Sequence, residues 1–174
     1  MLDGAPTNQH CPIDQYKENL GKIISHPSIK AHAPKILLVT PPPLDEIKHG
    51  DLTREDGLED PLREHVVSAA YSEKAREVAR ENPGVVLIDL WQALMDKAIE
   101  LTPADYQSGG PWLGSLKNGK SGGLDTLLPD GLHMGGDGYR VFFEAVRPHI
   151  GTEWAGLSLD SDFVYPSWRQ LHLP

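Results

Sequence analysis

Two continuous apolar runs stand out in the chain, one at residues 35–40 (KILLVT) and the other at residues 85–90 (VVLIDL). Neither alternates apolar and polar positions as a half-exposed strand does. Short runs of this kind are typical of strands that are covered on both faces, as in a parallel sheet. Three consecutive prolines follow the first run, and they favour an extended exit from its carboxyl end. We therefore predict two buried parallel strands.

The segments around these runs carry apolar residues at helical spacing. A first helix is predicted over residues 13–24, where the apolar positions are Ile13, Tyr16, Leu20, Ile23 and Ile24. Residues 44–60 are acidic and are expected to form a surface loop. Asp60 followed by Pro61 is a typical helix start. It predicts a long helix that ends near Pro83, with an apolar stripe formed by Leu62, Val66, Ala69 and Ala70.

Two further helices are predicted in the second half of the chain. One covers residues 91–101, and the other covers residues 137–148 with four side chains facing inward, Tyr139, Phe142, Phe143 and Val146. Helices therefore alternate with strands, which indicates an α/β layered domain with a parallel sheet. In such sheets, ligand sites form outside the carboxyl ends of the strands. The exits at Pro41 and at Asp89 would lie at that edge.

Composition and charge narrow the possible functions. The chain has 174 residues and a net charge of −9, so it lacks the basic surface of a nucleic-acid binder. No apolar run approaches membrane-spanning length, and the N-terminus has no signal-peptide pattern. Cys11 is the single cysteine. No cysteine and histidine spacing resembles a metal site. We expect a cytoplasmic protein with no cofactor, no metal and no membrane insertion.

A glycine- and serine-rich loop at residues 102–127 contains two matches to known motifs. Residues 114–121 fit the phosphate-loop pattern G-x-x-x-x-G-K-[ST], and residues 119–123 fit the nucleophile elbow G-x-S-x-G. Both motifs need a strand directly before them and a helix directly after. The glycine-rich flanks favour neither element. Nucleotide binding through Lys120 and Ser121 is therefore a minor alternative.

The strongest candidate for chemistry is the segment from Leu128 to His133, which reads LPDGLH. A turn brings residues three apart onto one side, so the carboxylate of Asp130 can reach one imidazole nitrogen of His133. That contact fixes the tautomer and leaves the other nitrogen free to accept a proton from a nucleophile. The alternative is ordinary turn chemistry, because Pro-Asp-Gly is common in turns that have no catalytic role.

Three blocks, in this order, resemble the SGNH (GDSL-type) esterases: ILLVTPPP at residues 36–43, VVLIDL at residues 85–90 and DGLH at residues 130–133. The resemblance covers about residues 8–150 and is nearest to the isoamyl-acetate-hydrolysing branch. It implies a flavodoxin-like three-layer α/β/α sandwich and the hydrolysis of small carboxylic esters. It also implies that His133 is the general base and that Asp130 orients it.

Two parts of the family pattern have no counterpart here. The family's nucleophilic serine lies in a G-D-S block and its oxyanion donors lie in further blocks, including G-x-N-D, and none of these occurs in the sequence. We therefore expect an N-terminally truncated domain at residues 1–150 that lacks its first strands. An aromatic tail at residues 151–174 is expected to pack on that domain.

Three functions are consistent with this pattern. The leading one is an ester hydrolase with Ser-His-Asp chemistry whose nucleophile block is absent from this chain. The second is an inactive remnant that binds or assembles through the same fold, and the third is the nucleotide binder described above. A truncated sheet would also leave the strand at residues 35–40 with an open edge, so self-association is expected.

Overall fold

A computed structural model describes residues 10–55 and 63–150. Within these ranges two strands form a parallel sheet, β1 at Ile36–Val39 and β2 at Val85–Ile88. Ile36 is paired with Val85 at one end of the sheet and Val39 with Ile88 at the other. The two strands therefore end at the same edge, as the sequence predicted.

Seven α-helices surround the two strands in the part of the chain that the structure describes. Their bounds are α1 Ile13–Ser25, α2 Pro27–His32, α3 Glu46–Glu55, α4 His65–Glu81, α5 Leu90–Leu101, α6 Leu124–Leu127 and α7 Gly136–Val146. Short 3-10 turns at Pro103–Asp105 and Arg147–His149 follow α5 and α7. The predicted helix start at Asp60 and Pro61 and the predicted packing of the tail fall outside the described residues.

The helices lie on both faces of the sheet. Leu38 packs with Ala75 and Val78 of α4, and Leu20 and Ile24 of α1 add to this cluster. Val39, the next residue along the strand, contacts a larger core built around α5. Because successive strand residues point to opposite faces, the two clusters are on opposite sides of the sheet. This α/β layering confirms the predicted fold class.

The larger core joins α5 to the loop, to α6 and to α7. Its buried members are Leu90, Trp91, Leu94, Met95, Ala98, Leu113, Leu124, Leu127 and Leu128. Leu127 and Leu128 lead directly into the DGLH turn. The turn is therefore anchored in the largest apolar cluster of the described residues, which limits its freedom to move.

The prediction that both strands are buried on both faces is only partly right. Leu38 and Ile88 are buried, but Ile36, Leu37 and Val39 are only partly buried. The reason is that each strand has one neighbour within the described ranges, so its other edge is not covered by a further strand. The apolar runs match an interior strand better than the two-stranded sheet observed here.

Two other predictions were wrong. The acidic segment at residues 44–60, predicted as a surface loop, contains α3. This helix is mostly polar, so it shows no periodic apolar pattern in the sequence.

Tyr139 and Phe143, predicted to face inward, are 58% and 57% exposed. The helix α7 instead packs through Gly138, Val141 and Phe142. A Cβ atom at Gly138 would lie 2.6 Å from the Leu127 carbonyl oxygen, so a glycine permits this close approach.

None of the helices within residues 10–55 and 63–150 has the length and apolar character needed to cross a membrane.

Candidate active site

The candidate site is a tight turn between α6 and α7. The backbone N–H of Gly131 donates to the Leu128 carbonyl over 2.8 Å, and that of Gly135 donates to the Leu127 carbonyl over 2.9 Å. Gly131 has a φ of +78°, a left-handed conformation that an L side chain rarely adopts. The sequence Asp130-Gly131 thus permits the reversal that brings Asp130 and His133 to one side.

The expected contact between Asp130 and His133 is present. The Oδ2 atom of Asp130 lies 2.6 Å from Nδ1 of His133. The other carboxylate oxygen, Oδ1, accepts the backbone N–H groups of Leu132 at 2.9 Å and of His133 at 2.6 Å. Because an ionised carboxylate can only accept, the proton of a neutral imidazole lies on Nδ1. The His133 side chain is 78% exposed, so the ring is open to a partner.

These contacts determine the charge of Asp130. Partial burial opposes ionisation, but the hydrogen bonds from the His133 side chain and from the two backbone N–H groups outweigh it. They lower the pKa of Asp130 from 3.8 to about 2. Asp130 is therefore ionised at neutral pH and can stabilise a positive charge on His133.

The DGLH turn packs against the start of α3 through Gly131. The backbone N–H of Asp45 donates to the Gly131 carbonyl over 2.9 Å. A Cβ atom at Gly131 would lie 2.6 Å from the backbone nitrogen of His49 and 2.7 Å from the Asp45 carbonyl oxygen. Asp45 is itself fully buried, and its Oδ1 atom caps α3 by accepting the Lys48 N–H over 3.2 Å. The sequence analysis did not identify Asp45 and His49 as residues that contact the turn. An aspartate such as Asp45 is nevertheless a common helix N-cap, and this could have indicated the start of α3.

A cavity of about 210 Å³ lies beside the turn, on the side of the β1 exit. One wall is the proline segment that follows β1, and another is the first half of α4. The residues that line it are Pro41, Pro42, Pro43, Leu44, Arg63, Glu64, Val67, Ser68, Tyr71 and Leu132. Leu132, which directly precedes His133, is the residue of the turn that lines this cavity together with the proline segment that follows β1.

The exit of β2 is joined to α4 by a charged contact that the sequence did not reveal. Arg76 of α4 donates from Nε to Oδ2 of Asp89 over 2.8 Å and from Nη2 to Oδ1 over 2.9 Å. Burial opposes ionisation of Asp89, but the Arg76 hydrogen bonds hold the pKa of that carboxyl below its usual value. Thr40 links the end of β1 to this pair, since its hydroxyl lies 3.4 Å from Asp89 and accepts the Trp91 N–H over 2.9 Å.

The two loop motifs do not form the structures that their chemistry needs. Residues 113–118 form turns and residues 119–121 have no regular structure, with no strand before the motif and no helix directly after it. Lys120 pairs with Asp105 over 2.7 Å, and the N–H of Gly114 donates to the Lys120 carbonyl over 2.8 Å. Ser121 therefore does not sit on a strand-to-helix elbow, and this segment does not resemble a phosphate loop.

Within residues 10–55 and 63–150, no serine is hydrogen-bonded to His133, whose ring contacts Asp130. In the same ranges, no group of three or more histidine, cysteine, aspartate or glutamate side chains is placed to hold a metal ion. The described site thus contains an acid and a base.

Comparison with known proteins identifies the class to which this fold and turn belong. Residues 3–146 match the family model described as GDSL-like Lipase/Acylhydrolase. The match covers most of the chain, and the chain therefore belongs to that family. This agrees with the resemblance of the three sequence blocks, whereas the narrower isoamyl-acetate branch is not confirmed by these comparisons.

Two curated relatives are GDSL esterase/lipases of Arabidopsis thaliana. At5g62930 is 25% identical over 150 residues, which are 84% of this chain and 52% of the relative. At5g45920 is 28% identical over 151 residues, which are 85% of this chain and 52% of the relative. The chain spans about half the length of these relatives.

Proposed function

We propose that this chain supplies the acid and base of a Ser-His-Asp carboxylic ester hydrolase, with Asp130 and His133 in those two roles. The contact of 2.6 Å between Asp130 and an exposed imidazole, in a chain of the GDSL-like lipase family, is the observation that carries the proposal. Esterase or lipase chemistry is typical of that family.

The geometry supports a defined proton path. The Nδ1–H of His133 donates to Asp130, so Nε2 is the nitrogen that accepts the proton of an attacking hydroxyl. The imidazolium that forms is stabilised by the ionised carboxylate, and it later returns the proton to the leaving alcohol. The sequence has no G-D-S block, so the proposal assigns the base and its orienting acid to this chain and assigns no nucleophile.

The cavity beside Leu132 supports a small ester as the substrate. Its walls are mostly apolar, with Pro41, Pro42, Val67 and Tyr71 among them, and its volume is about 210 Å³. Such a space suits a short acyl or alcohol chain, and its lining includes Leu132, the residue that precedes His133. The size and the apolar walls of this cavity are the observations that support a small ester.

A second candidate function is assembly through β1. Within the described residues this strand pairs on one side only, and the run from Ile36 to Val39 contains neither a charge nor a proline that would protect an open edge. A second copy of the chain could add a strand at that edge. This candidate does not require catalysis.

Hydrolysis of p-nitrophenyl acetate by the 174-residue chain tests how the roles are divided. We expect a rate close to that of a His133→Ala variant, because a base without nucleophile and oxyanion donors activates water poorly. Each missing oxyanion donor alone is worth roughly 2.7–4 kcal/mol. A stoichiometric burst that disappears on changing one serine would show that the chain contains its own nucleophile, and would contradict the proposal.

A further inference from the structure

One face of α7 carries apolar side chains that remain exposed. Tyr139, Phe143 and Val146 lie on successive turns of this face, and Ile150 follows shortly after the helix ends. Tyr139, Phe143 and Ile150 are 58%, 57% and 58% exposed. They are three of the seven large apolar side chains that are exposed in the described ranges, and they fall within one short segment. We refer to these four residues as the exposed α7 face.

The helix packs on the domain through a different face. Gly138 is buried, and Val141 and Phe142 contact the core around α5. At 3.6 residues per turn, the exposed α7 face is centred roughly 140° around the helix from Gly138 and Val141. The contact with α5 therefore leaves it uncovered. Exposed aromatic side chains that cluster in this way are typical of an interaction site.

The segment that follows Ile150 has a composition suited to covering this face. Residues 151–174 lie outside the described residues, so only their sequence is used here. Four of these 24 residues are aromatic, whereas aromatic residues make up 7% of the whole chain. The four are Trp154, Phe163, Tyr165 and Trp168. Aromatic residues supply large apolar area, and pairs of them gain further from ring contacts.

The reach of this segment matches the exposed α7 face. Trp154 lies four residues after Ile150, so the two Cα atoms can be at most about 14 Å apart. Phe143 lies seven residues before Ile150, which is about 10–12 Å along the helix. Trp154 can therefore reach Phe143. Tyr139, about 16–18 Å from Ile150, is within reach of the later aromatic residues at positions 163–168.

Covalent attachment favours this segment over a second copy of the chain. The segment begins where the exposed α7 face ends, so no long linker has to be ordered before contact. A short flexible connection gives an effective concentration on the order of millimolar, which a second copy at micromolar concentration does not match.

The charges beside the face are complementary to those of the segment. Arg140 and Arg147 border the face on its polar side. Arg147 pairs with Glu144 over 2.9 Å, whereas Arg140 forms no ion pair with another described residue. Residues 151–174 contain one arginine and three acids, Glu153, Asp160 and Asp162. The net negative charge of the segment therefore favours its approach to these arginines.

We propose that residues 151–174 fold back on the exposed α7 face and cover it, with Trp154 at Phe143 and the aromatic residues at positions 163–168 at Tyr139. The face is then a docking site for the C-terminal segment of the same chain. It is a different surface from the open edge of β1, and its role does not depend on catalysis.

The test uses fluorine nuclear magnetic resonance on the complete 174-residue chain with fluorinated tryptophan. The chain has four tryptophans, so Trp154→Phe and Trp168→Phe assign the two signals of the C-terminal segment. In the unmodified chain we expect both signals to lie away from their positions in concentrated urea, and to be independent of chain concentration. Proton contacts between the Trp154 indole and the Phe143 ring should be detectable in the same sample.

Substitutions on the exposed α7 face then locate the contact. Phe143→Asp should shift the Trp154 signal toward its position in urea, and Tyr139→Asp should do the same to the Trp168 signal. The signals of Trp91 and Trp112, whose rings pack 5.2 Å apart, should stay in place and show that the domain is folded.

Two variants serve as controls. Phe143→Leu keeps an apolar side chain and should leave the Trp154 signal close to its original position. Ile23 is 62% exposed on α1, which packs with the cluster on the opposite side of the sheet. Ile23→Asp should therefore move neither signal of the C-terminal segment.

Three results would overturn the proposal. The first is that the unmodified chain already shows both signals at their urea positions or lacks contacts between Trp154 and Phe143. The second is that Phe143→Asp and Tyr139→Asp leave both signals unchanged. The third is that the signals move to their urea positions on dilution, which would identify a second copy of the chain as the occupant. No step of this test measures turnover, so its failure is distinguishable from failure of the proposed esterase function.

Discussion

His133 receives two different contacts from the one carboxylate of Asp130. Oδ2 of Asp130 lies 2.6 Å from the ring nitrogen Nδ1, and Oδ1 accepts the backbone N–H of the same histidine over 2.6 Å. The carboxylate therefore fixes the ring orientation and the backbone conformation together. Both contacts favour the ionised form of Asp130, which links the geometry of the site to pH.

Acidification should weaken the folded state through this carboxyl. Its pKa is about 2 in the folded chain and 3.8 in the reference state, so its contribution is fully present above the higher value. The contribution is lost as the pH falls through the lower one, between about pH 5 and pH 1. The free energy of unfolding, measured with urea at several pH values in this range, should therefore fall more steeply in the unmodified chain than in Asp130→Asn. Equal slopes would contradict this assignment.

Gly131→Ala should destabilise the chain more than a glycine substitution elsewhere with the same backbone conformation. Gly119 is a matched control, since both residues have a φ of +78° but Gly119 has no neighbouring atom within 4 Å of an added Cβ. Gly119→Ala should cost about 1 kcal/mol for the left-handed conformation. Gly131→Ala should cost about 1–3 kcal/mol more, because its Cβ would meet backbone atoms of α3. Urea unfolding measures both, and equal costs would show that the turn does not pack on α3.

Arg76→Ala should destabilise the chain by about 2–3 kcal/mol, because it leaves the Asp89 carboxylate without its cation and two charged hydrogen bonds. Arg80→Ala is a control on the same helix. The Arg80 side chain is 62% exposed where it pairs with Glu73, so the loss should be below about 1 kcal/mol. Similar losses in the two variants, measured by thermal or urea unfolding, would argue against a stabilising role for the contact between Arg76 and Asp89.

A proline on the open edge of β1 should reduce self-association without breaking the sheet. The Thr40 N–H donates to Ile88 of β2, and strand N–H groups alternate in direction, so the Leu37 N–H points to the open edge. Leu37→Pro removes that donor and should lower the mass measured by light scattering. Leu38→Pro should instead remove a hydrogen bond to β2 and destabilise the fold. An unmodified chain that is already monomeric would contradict assembly through this edge.

The elements that sequence reasoning recovered are those with a strong local pattern. The helix α1, both strands and α5 follow directly from apolar spacing, and the pair of Asp130 and His133 follows from a turn of three residues. The helix α3 was missed because Glu46, Lys48, Asp51 and Arg54 leave no clear apolar stripe, and its stability depends on capping by Asp45.

What sequence reasoning could not provide are contacts between distant positions. Asp45 and His49 contact Gly131 although they lie about eighty residues away in the chain, and no local sequence pattern predicts this contact. The exposure of Tyr139 and Phe143 likewise depends on which face of α7 reaches α5. Apolar spacing identifies the helix, and Tyr139, Phe142, Phe143 and Val146 lie on one stripe of it. The side that packs is instead centred on Gly138 and Val141, so the stripe chosen from spacing was the wrong face.

The most direct test adds the G-D-S block that this sequence does not contain. A fusion of this chain to the segment of a GDSL relative that carries the G-D-S block should hydrolyse p-nitrophenyl acetate, and kcat/KM should be compared with the same fusion carrying His133→Ala or Asp130→Asn. A general base contributes roughly 10²–10⁴-fold, so His133→Ala should lower kcat/KM by about that factor. Asp130→Asn should also lower it, since the carboxylate no longer fixes the tautomer. An active fusion that is indifferent to His133→Ala would contradict the account.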